Sequence, residues 1–261
     1  MSNSNRTAAV TAQTFWDVAS PLIAVTEKHP FLVSMVDGTL AEENFKYYVV
    51  QDALYLKDFA DCLRRVADKA PSPADSARLV NFAKGAEECE MELHNSFFKQ
   101  WNISSPGGTG EGAEDEAQQM PNCLLYTSYM KRVVATESYA QGLAVLLPCF
   151  WVYMHVGHVM LKLRKDLANS VNRKPQYDAW IDMYAGEDFE KEVKDFIAMV
   201  NAECQRIQEK GLDADEDTAE GSSAADAFKR MQHHFSMGCK LEHMFWDQAS
   251  TMMQWPKISG M

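Results

Sequence analysis

The stretch AVLLPCFWVYMHVGHVM, Ala144 to Met160, decides the fold. It is almost wholly apolar and falls at the short end of a membrane span, but His155 and His158, followed by Lys162, Arg164, Lys165 and Asp166, point to a buried helix of a soluble protein. We read it as the central helix. It opens at Ser138, where Ser138-Tyr139-Ala140-Gln141 has the capping-box form, with polar side chains serving the unpaired donors of the first turn. Pro148 removes one internal hydrogen bond and kinks the helix, at a cost of ~3 kcal/mol unless its surroundings compensate. Cys149 stands directly behind it. Taken alone, such a cysteine is more often a small core residue than a nucleophile.

Working outward towards the N-terminus, a short helix from Pro121 to Thr136 carries Leu125, Tyr126 and Tyr129. Before it, SSPGGTGEGAEDEAQQ, Ser104 to Gln119, is acidic, glycine-rich and empty of large apolar residues, so it reads as a mobile surface insertion that cannot offset its own ordering entropy. Ser72-Pro73 opens a helix to about Trp101, with Leu79, Phe82, Ala86, Leu93 and Phe97 inward. Thr39-Leu40-Ala41-Glu42 is a second capping box, opening a helix to about Lys69. Its apolar stripe runs Phe45, Tyr48, Val49, Asp52, Tyr55, Leu56, Phe59, Leu63 and Val66 at helical spacing, and Asp52 lies inside it. A first helix, Thr14 to Lys28, is interrupted by Pro21 and closed by His29-Pro30, and Asp37-Gly38 marks a turn.

Towards the C-terminus, Lys174-Pro175 introduces a brief helix through Trp180 and Tyr184, ended by Gly186. Glu187 to Lys210 forms another, stopped by Gly211, and Asp213 to Gly221 repeats the acidic loop composition. The last helix runs from about Ser223 to Met253, with Glu242 on a stripe that includes Phe235, Phe245 and Ala249. No segment alternates as a half-buried strand does, and no fixed repeat is visible. The expectation is one all-α domain over residues 1–261, an irregular helical bundle with acidic insertions near 104–119 and 213–221.

The formal charge of −12 argues against nucleic acid and anionic membrane surfaces as partners. The opening MSNSNRTAAVTAQ lacks a basic segment followed by an apolar one, so the protein is expected to stay in the cytosol. Six cysteines without a C-x-x-C pair suggest reduced thiols. No histidine has a carboxylate three residues before it, as a di-iron bundle would require, so no metal is expected. His155 and His158 fit partly exposed or hydrogen-bonded residues better than ligands, and nothing singles out His29 for haem.

Two carboxylates on apolar stripes, a cysteine behind a proline and several inward tyrosines suit nucleophilic addition to an electron-poor ring with proton transfer. The competing reading is structural. Asp52 and Glu242 would then bond buried tyrosine hydroxyls, and Tyr48, Tyr55, Tyr126, Tyr153 and Tyr184 would be core aromatics.

The segments FKYYVVQDALYL (Phe45 to Leu56), YTSYM (Tyr126 to Met130), LLPCFWVY (Leu146 to Tyr153), YDAWIDMYAGEDF (Tyr177 to Phe189) and EHMFWDQA (Glu242 to Ala249) shift the balance. Together, and in this order, they resemble the TenA family of thiaminase-II-type aminopyrimidine hydrolases from about Phe15 to Trp255. The resemblance implies a haem-oxygenase-like helical fold without haem or other cofactor, assembled as a homotetramer. It also implies hydrolytic release of a group from the methylene carbon of a 4-amino-2-methylpyrimidine, in salvage of degraded thiamin. By motif, Cys149 matches the nucleophile, Glu242 the acid/base carboxylate and Asp52 the residue that holds the ring amino and nitrogen groups. Tyr55, Tyr126, Tyr153 and Tyr184 match pocket tyrosines. The chain departs from the family at Phe150, where tyrosine is frequent, and at Met154-His155, where Tyr-Glu is common. The alternatives carried forward are an oxidase on the same fold and a non-catalytic pyrimidine-binding protein.

Overall fold

Thr11 is extended, and its backbone N–H bonds the Thr14 hydroxyl at 3.2 Å, which starts helix α1, Ala12–Thr26. The computed structural model describes residues 9–90, 97–99, 101, 117–167, 172–212 and 223–258. α1 runs unbroken through Pro21, contrary to the interruption expected there. Pro21 is exposed, so water can serve the carbonyl that its missing N–H leaves free. His29 and Pro30 do more than close α1. The His29 ring accepts the Phe31 N–H at 3.1 Å and Pro30 takes the first-turn position, so a second helix, α2, spans Pro30–Asp37. Gly38 ends it at φ 78°, and a side chain there would meet the Asn172 carbonyl oxygen at 1.9 Å.

Helix α3 is Glu42–Ala67, and every apolar-stripe residue from Phe45 to Val66, Asp52 included, is buried. The Thr39 capping box does not form. The Thr39 hydroxyl bonds Asp37 at 2.6 Å, Ala41 holds the cap position without a side-chain bond, and Glu42 and Glu43 meet the positive end of the helix dipole instead. Helix α4, Pro73–Gly85, is capped by the Ser72 hydroxyl on the Asp75 N–H at 3.1 Å. It does not continue as one α-helix to Trp101, because the chain loosens into a π turn over Ala86–Glu90. Phe97 beyond it is buried against Phe45, and Leu93 lies outside the described residues.

Most of the acidic stretch 104–119, and all of 213–221, lies outside the described residues. The end of the first is pinned, since the Gln119 amide donates to the Leu54 carbonyl at 3.2 Å and to Asp58 at 2.9 Å. Helices α5 (Pro121–Thr136), α6 (Tyr139–Leu167), α7 (Pro175–Tyr184), α8 (Glu187–Leu212) and α9 (Ala224–Thr251) complete the bundle. α8 passes the expected stop at Gly211. The Ser223 hydroxyl caps α9 through the Asp226 N–H at 3.1 Å, and Met252 ends it in the left-handed region. The described residues contain no strand.

α6 touches α2, α3, α5, α7, α8 and α9. Its most apolar window is 78% buried, so its membrane-like composition belongs to a core helix. The chain stays helical through Pro148, whose ring fits against Gly238 of α9, where a Cβ would come within 2.6 Å of Pro148 Cγ. That glycine lets the helix carrying Cys149 and the helix carrying Glu242 approach closely. Ser138 and Gln141, the residues of the expected capping box, hydrogen-bond each other through their side chains.

Candidate active site

Five helices deliver the seven residues singled out in the sequence. α3 supplies Asp52 and Tyr55, α5 Tyr126, α6 Cys149 and Tyr153, α7 Tyr184, and α9 Glu242. All are buried, and Cys149, at 8% exposure, is the most accessible of them. The site lies inside the bundle, where electrostatic interactions act with little screening by water.

One side of the site links the thiol to the carboxyl group. The Tyr126 hydroxyl donates to Glu242 Oε1 at 2.7 Å. Tyr55 packs its ring 5.0 Å from that of Tyr126, and its hydroxyl, which donates to Met130 Sδ at 3.5 Å, is near enough to interact with both the Tyr126 hydroxyl and the Cys149 thiol. Burial, reinforced by the nearby Asp52 charge and opposed by the Tyr126 hydrogen bond, pushes the Glu242 carboxyl up to about 8. At neutral pH it is therefore largely protonated. Burial also lifts the Tyr55, Tyr126 and Tyr153 phenols well above their ordinary range, so they serve as neutral hydrogen-bonding groups.

The other side is an aromatic wall. The Tyr153 ring lies 4.8 Å from Tyr184 and 5.2 Å from Trp246. Asp52 is near enough for its charge to act on both Tyr153 and Glu242. Two carboxyl side chains, a thiol and several phenols are thus brought within interaction distance of one another beside flat rings.

Sequence reasoning treated Tyr48, Trp180 and Trp246 as core, segment or motif residues only. Tyr48 bonds the Tyr153 hydroxyl, and Trp180 bonds Tyr48. Trp246, four residues after Glu242 on the same helix face, was the legible one. Both departures from the family pattern fall outside the cluster. Phe150 packs in a phenylalanine group with Phe59, Phe82 and Phe196, where a hydroxyl would need a partner. His155 bonds Glu27 at 2.6 Å on the α1 side, and His158 lies 3.7 Å from Glu190.

A cavity of about 430 Å³ opens beyond Phe150, with Met183, Phe189 and Glu192 among its lining residues, but none of the seven residues lines it. Cys62, Cys123, Cys149, Cys204 and Cys239 are free thiols, and burial pushes Cys62 and Cys204 up to about 12 and Cys123 and Cys239 higher still.

His29, His243 and Asp247 place one possible metal-binding atom each within 4.8 Å of one another. Their hydrogen bonds assign them otherwise. His29 Nδ1 accepts the Phe31 N–H, so Nε2 carries the ring proton and donates it to Asp247 Oδ1 at 3.2 Å. A protonated nitrogen is not a ligand. His243 Nδ1 meets the Thr26 hydroxyl at 3.0 Å, and the group ties α1 and α2 to α9.

The model of the TENA/THI-4/PQQC family matches residues 16–225. An aminopyrimidine aminohydrolase of Bacillus subtilis (strain 168) is 32% identical over 227 residues, 87% of this chain and 84% of its own. Among solved structures, a TenA homologue from P. horikoshii OT3 superposes with a TM-score of 0.73 at 22% identity, covering 92% of this chain and 98% of that one. A domain of heme oxygenase-like fold from Shewanella denitrificans OS217 superposes at 0.65 and 12% identity, covering 93% of each chain.

Proposed function

The chain belongs to the TENA/THI-4/PQQC family, and on that premise we propose that it is an aminopyrimidine aminohydrolase of thiamin salvage. Its substrate in this reading is 4-amino-5-aminomethyl-2-methylpyrimidine, hydrolysed to ammonia and the hydroxymethylpyrimidine. The observation that carries the site assignment is the chain of contacts Cys149, Tyr55, Tyr126, Glu242, which joins a buried thiol to a carboxylic acid that holds its proton at neutral pH.

The Cys149 sulfur adds to the pyrimidine ring while Glu242 gives its proton to a ring nitrogen. The thiol proton passes through Tyr55 and Tyr126 to the carboxylate, which is thereby recharged. Addition converts an aromatic ring into an electron-rich one, and its electron pair expels the exocyclic amine, entering as ammonium, as ammonia. Water adds to the methylene carbon and gives a proton to the released ammonia, which leaves as ammonium. The carbon–sulfur bond then breaks, the ring nitrogen gives its proton to the departing thiolate, and the ring regains aromaticity with Cys149 again a thiol and Glu242 already protonated. Asp52 takes the ring amino group as acceptor, and Tyr153 and Tyr184 form the wall against which the ring lies. Nucleophile, acid and ring clamp are all side chains of this chain, so the reaction draws on no cofactor. We place the protein in the cytosol as a single-domain subunit of a homotetramer, the assembly that the family resemblance implies.

The test is ammonia release from the aminomethylpyrimidine by the purified protein. Tight binding of the pyrimidine with no ammonia released would make it a binding protein instead. Oxygen consumption in its place would point to an oxidase.

A further inference from the structure

The cavity of about 430 Å³ beyond Phe150 takes no part in the chemistry above, yet it has the size of a small-molecule site, for which ~300–1,000 Å³ is usual. Phe150, Met183 and Phe189 give it an apolar lining. Its charged side chains are all acidic, namely Asp182, Glu187, Asp188 and Glu192, and no lysine, arginine or histidine among the described residues lines it. The backbone also departs from regular helix here. α4 ends at Gly85 and the π turn begins at Ala86, both of which line the cavity, and such turns often mark functional sites. A Cβ on Gly85 would come within 3.1 Å of Glu192 Oε1, so the glycine leaves room for that carboxyl group.

Glu192 stands three residues after Phe189 and four before the buried Phe196, so it shares their stripe on α8. The cations around it are engaged elsewhere. Lys191 pairs with Asp195 at 2.9 Å, Arg78 donates to the Asp195 carbonyl at 3.1 Å, and Arg164 holds Asp178 and Asp182. Glu187 and Asp188 meet the positive end of the α8 dipole. Glu192 is half-buried and, among the described residues, makes no hydrogen bond or ion pair. Burial, reinforced by Asp195 and opposed by Lys191, pushes its carboxyl up to about 7.

We propose that this cavity is a binding site for a small organic cation, a protonated amine on an aromatic or apolar body. The ammonium donates to the Glu192 carboxylate, and the body lies against Phe150, Met183 and Phe189, whose ring faces also attract positive charge. Asp182, Glu187 and Asp188 are close enough to favour cations and repel anions. None of the seven candidate-site residues lines the cavity, so the inference stands independently of the substrate assigned above.

The experiment is calorimetric titration of the full chain with benzylamine, with benzyl alcohol and benzoate as its neutral and anionic counterparts. At pH 8 benzylamine should bind roughly 10-fold or more tightly than benzyl alcohol, the scale of one hydrogen bond to a charged group, and benzoate more weakly than either. Glu192→Gln should remove the preference for the amine, whereas Asp52→Asn should leave it intact. Equal affinity for amine and alcohol in wild type, or a preference that survives Glu192→Gln, overturns the proposal. A preference lost in Asp52→Asn and kept in Glu192→Gln would place the amine at the candidate active site instead. A second readout needs no variant. The benzylamine ammonium stays protonated from pH 6 to pH 8 while Glu192 ionises, so the affinity of wild type should rise severalfold across that range. An affinity that stays flat removes Glu192 from the site and overturns the proposal.

Discussion

Replacing Glu242 by glutamine separates a catalyst from a structural support. The side chain is 1% exposed, and burial lifts its carboxyl from the ordinary 4.5 to about 8. A carboxyl whose folded pKa is raised binds its proton more tightly in the native state than in the unfolded chain. The native state is therefore not penalised below about 4.5. It loses stability as the pH rises from there through about 8, and the loss levels off above. At ~1.36 kcal/mol per pH unit, the loss is about 1 kcal/mol at pH 5, about 3 at pH 7 and about 5 at pH 9, as an order of magnitude. Glutamine keeps the shape and the oxygen that accepts from Tyr126, but it cannot ionise. The Glu242→Gln protein should therefore be more stable than wild type, by a margin that widens from pH 5 to pH 9. Urea unfolding of both proteins across that range measures the margin. Ammonia release should fall by roughly 10²-fold or more, the scale of a lost general acid. A variant less stable than wild type at pH 7, with near-normal turnover per folded molecule, would show Glu242 to be a strut and refute the reasoning. A stability margin that does not change with pH would refute the account of its protonation.

Cys149→Ser should lose most of the turnover while still binding the hydroxymethylpyrimidine product, as calorimetry would register; wild-type turnover in that variant would rule out covalent addition. The wild-type pH profile of kcat/KM should fall on its alkaline side near pH 8, as Glu242 gives up the proton it must donate. Tyr126→Phe removes the hydrogen bond that favours the ionised carboxylate, so this alkaline limb should move to higher pH; a limb that moves down or stays fixed would assign it to another group. Gly238→Ala drives a methyl into the Pro148 ring and should cost about 1–3 kcal/mol of stability, with turnover falling as α6 and α9 are forced apart; unfolding and rate measurements on the same preparation check both.

Much of the fold was legible because the signals that make helices are local. The spacing from Phe45 to Val66, the hydroxyl caps at Ser72 and Ser223, and the prolines at 73, 121 and 175 each act within a few residues, and the helices begin where they place them. Local signals also misled where two of them competed. His29-Pro30 closes one helix and opens another, and Thr39 bonds Asp37 in the turn in preference to the helix start. Pro21 looked like a break and is not one: it stands on the exposed face of α1, where the carbonyl left without a partner is open to solvent.

For the candidate site, sequence supplied the parts and family resemblance their expected roles. Carboxylates on apolar stripes mark Asp52 and Glu242 as unusual, since a buried charge must be paired or neutralised. That Tyr126 bonds Glu242, that Tyr55 bridges the thiol to Tyr126, and that Tyr48 and Trp180 stand behind Tyr153 could be decided only in three dimensions. The partners are separated by 116 positions in one case and 132 in another. Helical periodicity says which face a residue occupies and nothing about which residue of another helix it meets. Hydrogen-bond direction and the pKa of a buried acid follow from that meeting, set here by how closely five helices pack.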